Sequence, residues 1–376
     1  MSGIYIHIPF CKKACHYCNF HFSTSLRLKD DMISAICFEI EKRKDYLHDT
    51  HLQSIYFGGG TPSLLNEGDL HKIFEKLSQH FTWDQKSEIT LESNPDDLDV
   101  NKLALLQRLG INRLSIGVQS FFDEDLVWMN RAHNADEAQH CIKAAQDVGF
   151  SNITIDLIYG CPSTTNEMWE QNINHALSME IPHISSYCLT VEEKTALHHQ
   201  VKTGKISQPD AEMASEQFST LMDRLQSAGF DHYEISNFGK PGHHAIHNTN
   251  YWKGAHYLGL GPAAHSFDGS SRSWNITNNK KYIDACQNGT EFMESETLSD
   301  ATRYNEYIMT GLRTMWGIDY RTIKVFGDKY YDYFCEMIAK AIQDDLVFQA
   351  GDNITLTQAG KFFADRIAMT LFWVED

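Results

Sequence analysis

The sequence contains no uninterrupted apolar stretch near the roughly 18 residues that cross a bilayer. It opens on Gly3-Ile4-Tyr5-Ile6-His7-Ile8-Pro9, with no basic leader or small-residue cleavage site. A cytoplasmic, soluble chain is the expectation, with peripheral contact at a membrane left open. Proline is scarce, at 8 of 376 residues, and no segment is rich enough in Pro, Gly or Ser to form a disordered linker. Positive charge is also short: 32 Lys and Arg face 50 Asp and Glu, for a formal net charge of -18. Nucleic-acid affinity comes largely from cationic side chains that release counterions, so a phosphate backbone is disfavoured as main partner, although a local basic pocket is not. A disulfide framework is missing as well. Nine cysteines are an odd number, three of them fall within eight residues, and Cys37, Cys141, Cys161, Cys188, Cys286 and Cys335 lie far apart. The scattered six read as small buried hydrophobes, and the clustered three as metal ligands.

With 42% hydrophobic and 22% charged residues, the chain is globular and long enough for one large domain and a smaller appendage. Short strand-like runs alternate with helix-like segments: Ile4-Ile8, Ser54-Phe57, Glu88-Glu92, Arg113-Val118, Asn152-Ile158 and His183-Leu189. The intervening segments space apolar residues for helices, as in Met32, Ile33, Ile36 and Ile40, or Leu103, Leu106 and Leu109 before Gly110. About six βα units predict an α/β fold: a partial (β/α)6 barrel, TIM-like but open on one side, over residues 1–230. Residues 231–298 read as an extension closing the barrel's edge. Residues 299–376 read as helices and a hairpin around Gly351-Asp352-Asn353, a winged-helix-like α+β domain that packs or acts as a lid.

Cys11, Cys15 and Cys18 stand at i, i+4 and i+7 just after the first strand, a spacing that chance would produce in roughly 0.005 of such chains. A cubane cluster normally takes four Cys ligands, so three leave one iron open to an outside molecule. The alternative is a zinc site completed by His7, His16 or His21. A second motif, Gly58-Gly59-Gly60-Thr61-Pro62, ends the second strand; missing side chains would let its backbone amides approach a ligand, and a bare tight turn is the competing reading. Glu92, Gln119 and Asp156 lie toward the ends of later strands, at the rim where barrels place their active sites, and each also reads as a helix cap or surface group. Arg131 could neutralise a carboxylate or simply be solvated.

The Cys11-Cys18 loop, with Tyr17 before its last cysteine, resembles the hallmark of the radical S-adenosylmethionine (SAM) superfamily. The resemblance spans nearly the whole chain and is closest to the HemN/HemW group. It implies a 4Fe-4S cluster on Cys11, Cys15 and Cys18, and SAM bound at the free iron. An electron from the reduced cluster would then cleave a sulfur-carbon bond to yield a 5′-deoxyadenosyl radical. It also implies SAM contacts from Tyr5, Tyr17, Gly59, Gly60, Thr61, Glu92, Gln119, Arg131 and Asp156. Two departures from the group's coproporphyrinogen III oxidases stand out: Phe20 replaces a further Cys, and only ten residues precede Cys11. Both point to the group's haem chaperones, as does His247-Asn248-Thr249-Asn250-Tyr251-Trp252, which looks like their HNxxYW motif. That likeness implies haem on His247, an acceptor haem protein of a respiratory chain, and a reductant such as a flavodoxin or ferredoxin. The rival expectation is an enzyme, either an oxygen-independent coproporphyrinogen III dehydrogenase or a tetrapyrrole methyltransferase. A neutral imidazole is a common axial ligand of haem iron, but His247 could equally be hydrogen-bonded in the interior beneath the SAM pocket.

Overall fold

In the computed structural model, which describes residues 2–375, six parallel strands lie side by side in chain order. They are β1 (Ser2–Ile8), β2 (Leu52–Gly59), β3 (Glu88–Ser93), β4 (Arg113–Gln119), β5 (Ile153–Tyr159) and β6 (His183–Cys188). The crossovers carry helices whose apolar stripe faces the sheet: in Lys29–Lys42, Met32, Ile33, Ile36 and Ile40 are buried. Local signals set the helix ends. Asn66 and Asn134 form capping boxes with Asp69 and Glu137, and Gly149, at φ +110°, stops the helix Ala135–Val148. The half-barrel expected from the alternation of short and long segments is therefore present.

Residues 231–298 do not close this sheet on itself. Strands β7 (Asp231–Glu234) and β8 (Asn237–Gly239) extend it antiparallel beyond β6. On the far side β9 (His256–Leu260) pairs parallel with β1, followed by antiparallel β10 (His265–Phe267), β11 (Ser271–Asn275) and β12 (Met293–Thr297). The segment lengthens both edges, and the twelve-stranded sheet runs from β12 to β7 without joining its ends.

The C-terminal residues bury their own apolar cluster, with Tyr304, Ile308, Phe334, Ile354 and Leu371 inside. Helices Asp300–Leu312, Tyr320–Phe326 and Asp328–Gln343 precede the three-stranded sheet's Val347–Ala350 and Asn353–Leu356 hairpin. This unit spans the opening. It grips the β7 edge through the Ile235 N–H to Arg313 O bond (3.0 Å) and the Met315 N–H to Tyr233 O bond (2.9 Å). It reaches the opposite edge through the Arg272–Glu306 ion pair (2.8 Å).

The β9–β11 edge is fastened from behind by one buried carboxylate. Glu39 accepts from the Gly261 N–H (2.8 Å), Asn275 Nδ2 (2.8 Å), Tyr282 Oη (2.6 Å) and Arg43 Nη1 (3.3 Å). Arg43 in turn donates to Gly259 O (3.2 Å) and Ser273 Oγ (3.0 Å). Burial pushes the Glu39 carboxyl up, and these donors oppose it. Removing one partner of a buried pair strands the other charge. Glu39→Ala is expected to lower stability by about 3–5 kcal/mol, and Glu39→Gln by clearly less because it keeps an acceptor; urea unfolding midpoints of the two variants measure the difference.

Candidate functional site

The cysteine loop leaves the C-terminal end of β1 and is tied at its base by the Cys11 N–H to Ser23 O bond (3.1 Å) and the Ser23 N–H to Pro9 O bond (2.9 Å). Its middle is held from outside: the His16 N–H reaches Met129 O (3.1 Å) and Asn130 Nδ2 reaches Ala14 O (2.8 Å). Cys11, Cys15 and Cys18 are all half-buried free thiols. Burial pushes the Cys11 thiol up to about 11, against a hydrogen bond with Thr61, and burial raises Cys18 as well. Metal ligation would displace those protons. Among the described residues no three His, Cys, Asp or Glu side chains converge on a point that a single ion could fill. A cubane asks for something else, since each of its thiolates binds a different iron. The three histidines considered for a zinc site each engage another group: His7 Nε2 bonds to His21 O (2.8 Å), His16 Nδ1 to Trp128 O (2.8 Å), and His21 Nε2 to Asn279 Oδ1 (2.7 Å).

Beside the thiols lies a cavity of about 430 Å³ at the C-terminal ends of the strands. It gathers Tyr17, Gly59, Gly60, Thr61, Glu92, Gln119, Arg131 and Asp156 along with the three cysteines. Arg131 donates to Cys15 Sγ (3.3 Å), Gly117 O (2.7 Å) and Asn94 Oδ1 (2.8 Å), while its buried Nε–H has no partner. Burial alone would lower its guanidinium, but Tyr17 and Cys15 hold it charged. Glu92 accepts from Tyr56 Oη (2.7 Å) and the Gly59 N–H (3.1 Å). Burial pushes Glu92 up to about 7 and Asp156 up to about 6. Gln119 sits at φ +69° beside a break in the β4–β5 register, a strained backbone of the kind found at binding sites. The cavity thus offers two carboxylates on the verge of ionising, a fixed cation and a thiol trio. That donor set suits a zwitterionic, sulfonium-bearing ligand next to a cluster.

The sequence profile of the Radical SAM superfamily matches residues 5–176, and that of the HemN C-terminal domain matches residues 298–363. The chain is 32% identical to the haem chaperone HemW of Bacillus subtilis, over 98% of each protein. It is 30% identical to that of Mycobacterium tuberculosis, over 98% of this chain and 94% of the relative. The chain belongs to the HemW family of radical SAM proteins. Its fold is also that of coproporphyrinogen III oxidase (HemN) from Escherichia coli, at a TM-score of 0.85 and 23% identity over 99% of this chain and 90% of the oxidase.

Within this HemW-family chain, several expected site residues sit differently from the sequence reading. Asp156 lies mid-strand, opposite Ser185, rather than at the end of β5. The glycine triplet does not offer its amides to a ligand: the Gly59 N–H goes to Glu92, Gly60 to Ile8 O (2.9 Å) and Thr61 to Phe10 O (2.7 Å). Tyr5 is not in the cysteine-lined cavity; its hydroxyl bonds His7 Nδ1 (3.1 Å) and its ring stacks on Tyr56, so it lines a larger groove on the other side. His247 is buried with both ring nitrogens used, Nδ1 on Ser54 Oγ (2.8 Å) and Nε2 on Tyr251 Oη (2.8 Å). Its backbone N–H and that of Ile246 are held by Glu88 (2.9 Å each). In this structure both ring nitrogens are engaged with hydroxyl groups, the interior arrangement set beside the axial-ligand expectation for His247. Cys188 also departs from the expectation of a buried hydrophobe: it is exposed and lines the cysteine-bearing cavity, and Cys37 and Cys335 are only half-buried.

Ser115, Tyr187 and Asn94 also line this cavity and escaped the sequence reading. Ser115 stands opposite Glu92 in the β3–β4 register, which only the fold supplies. Tyr56→Phe should raise the protonation midpoint of Glu92 above about 7, because the hydrogen bond that opposes burial is lost. Infrared difference titration of the carboxyl band, with Glu92→Gln as the blank, measures it.

Proposed function

We propose that this chain is a radical SAM haem chaperone, which carries one 4Fe-4S cluster, binds SAM in the cysteine-lined cavity and passes haem to an acceptor haem protein. The observation that carries the reading is the single cavity shared by the thiol trio with Glu92, Gln119, Arg131 and Asp156, in a chain collinear with haem chaperones. Cys11, Cys15 and Cys18 would hold the cluster. Tyr17, Thr61, Glu92, Gln119, Arg131 and Asp156 would hold SAM, with Gly59 and Gly60 lining its pocket other than through their amides, and Tyr5 would act only through the Tyr56 ring it stacks on, 6.1 Å between centroids. When bound, the reduced cluster supplies one electron to the SAM sulfonium. The protein's own part is to fix charge. Arg131 meets an anionic group beside Cys15, and Glu92 and Asp156 meet cationic ones once ionised. No helix among the described residues is long and apolar enough to cross a membrane. We assign the chain to the cytoplasm, with delivery to a respiratory-chain haem protein at the membrane surface and a flavodoxin or ferredoxin as reductant.

Two measurements test this. Anaerobically reconstituted, reduced protein is expected to show a paramagnetic cluster signal that changes on adding SAM; a signal indifferent to SAM overturns the assignment. The same protein with SAM and coproporphyrinogen III is expected to leave the porphyrinogen intact, whereas protoporphyrinogen formation would make it an oxidase. The buried carboxylates add a pH dependence. A cationic ligand binds their ionised forms, so affinity for SAM rises with pH. With Glu92 at about 7, the ionised fraction grows about tenfold from pH 6 to 8. Equilibrium binding of SAM should follow that rise in the wild type and lose its upper limb in Glu92→Gln.

A further inference from the structure

The larger groove, about 1630 Å³, is unused by the reading above. It runs between the β9–β11 edge and the C-terminal unit that spans the barrel opening, and exceeds the roughly 300–1,000 Å³ of ordinary small-molecule pockets. Strand alternation builds its floor. Ser266 and Ser273 point inward, where Ser273 meets Arg43, whereas His265, Phe267, Arg272 and Trp274 occupy the other face, in register as His265 opposite Trp274 and Phe267 opposite Arg272. Tyr257 pairs with Phe267 to widen this face. The opposite wall supplies Met309, Trp316 and Phe326. Among the charged lining residues, Arg272 is paired with Glu306 (2.8 Å) and Arg321 with Asp319 (2.6 Å), which leaves Lys253 and Arg303 without a groove carboxylate, although Arg303 also reaches Asp300 (3.5 Å). A flat apolar body with acidic groups at one rim fits such a groove.

One side chain in it has no work of its own. His265 is exposed, and neither of its ring nitrogens is hydrogen-bonded among the described residues; its recorded ring neighbour is Trp274, at 6.3 Å. Partial enclosure by the groove walls and the nearby Arg272 both hold its proton affinity down, which favours a neutral imidazole, the form that ligates metals. Of the other groove histidines, His7 and His21 are hydrogen-bonded, whereas His256 is half-buried without a hydrogen bond among the described residues, its ring edge-on to Phe267 at 6.3 Å. His265 is the more exposed of these two free imidazoles.

We propose that haem docks in this groove with His265 as the axial ligand, its carboxylates toward Arg272 and Arg303, and that His247 is a positioning residue behind the wall. This rests on the haem-chaperone reading and moves its cargo site away from His247. The HNxxYW segment takes part through its other residues: Tyr251 and Trp252 line the groove, while His247 bonds the Tyr251 hydroxyl (2.8 Å), whose ring packs edge-on against Tyr257 (4.5 Å). His247 thus shapes the floor without touching the cargo. Asn19 and Phe20, next to the last cluster cysteine, border both cavities, so bound haem sits beside the cofactor site.

Ferric haem titrated into the full-length chain, read by the Soret band and by low-temperature electron paramagnetic resonance, tests the assignment. Wild type is expected to give saturable binding with a histidine-ligated spectrum. His265→Ala is expected to lose that spectrum and bind at least tenfold more weakly, with added imidazole restoring the band. His256→Ala and His247→Ala are expected to keep the histidine-ligated spectrum, His247→Ala with weaker affinity only. A wild-type spectrum in His265→Ala overturns the proposal, as does loss of histidine ligation in His247→Ala with unchanged circular dichroism. If wild type itself takes up no haem, the chaperone reading falls, and this assignment with it.

Discussion

The parallel pairing of β1 with β2, which sets Ile8 opposite Gly59, is the constraint on which both cavities depend. It lays the start of the cysteine loop across the glycine turn so closely that side chains are forbidden there. A Cβ on Gly60 would stand 2.6 Å from Phe10 O and 2.7 Å from Ile8 O, contacts with backbone that nothing can relieve. A Cβ on Gly59, at φ +102°, would enter the His7 ring at 2.4 Å. The glycines are therefore there first for the fit of one loop on another. The amides of Gly59 and Gly60 are spent on Glu92 and Ile8, and that of Thr61 on Phe10, and Glu92 is held facing the thiols as a result.

Fold class was legible because the six parallel strands are short, apolar and separated by helices with regular stripes, so periodicity and order sufficed. The destination of residues 231–298 was not, because a local pattern suggests an extension at the barrel's edge but not which strands it forms or which edge they join. Pairing partners more than 200 residues apart, such as Tyr257 with Gly3, leave no local trace. The thiol trio was singled out by its spacing, Glu92 and Gln119 as polar residues near strand ends, and Arg131, in the loop after the helix Asp123–Trp128, by the family resemblance; the fold lines one cavity with all of them. Cys188, Tyr187 and Ser115 were not legible, since nothing about a lone Cys, Tyr or Ser tells which face of a strand it takes until the register is known. His247 is a related case. A histidine in an aromatic-rich motif reads as a ligand, and only the fold shows Ser54, from a strand 193 residues earlier, taking its second nitrogen.

Between the cavities stands a wall of rings: Tyr5 and Tyr56 stack on each other and on His247, which leads to Tyr251. The wall is rooted at the N-terminal ends of the strands. There Glu88, paired with Arg113 at 3.7 Å, receives the first amides of the helix Ile246–Trp252. A carboxylate at a helix N-terminus is favoured by the exposed N–H groups it satisfies. The motif helix is thereby pinned as a plug under the barrel, while its far end, Tyr251 and Trp252, faces the outer groove. One short helix serves both sides.

This arrangement separates two demands that one pocket would set against each other. A site that handles a strongly reducing cluster needs enclosure and groups whose charge responds to the ligand, and the small cavity supplies them through burial of Glu92 and Asp156. A carrier site needs an open mouth, so that a flat, hydrophobic molecule can leave toward a partner. The outer groove opens between the β9–β11 edge and the C-terminal unit, which is fastened on the β7 side by backbone bonds, by Lys361 on His232 (2.8 Å) and by Trp316 beside Tyr233, and on the β11 side by the part-exposed Arg272–Glu306 pair and the chain's own passage from β12 into the helix Asp300–Leu312. An exposed ion pair is worth at most about 1 kcal/mol, so the β11 side is the weaker seam. Loss of that pair would leave Glu39, Arg43 and the sheet behind it undisturbed, since their bonds lie on the opposite face of β11.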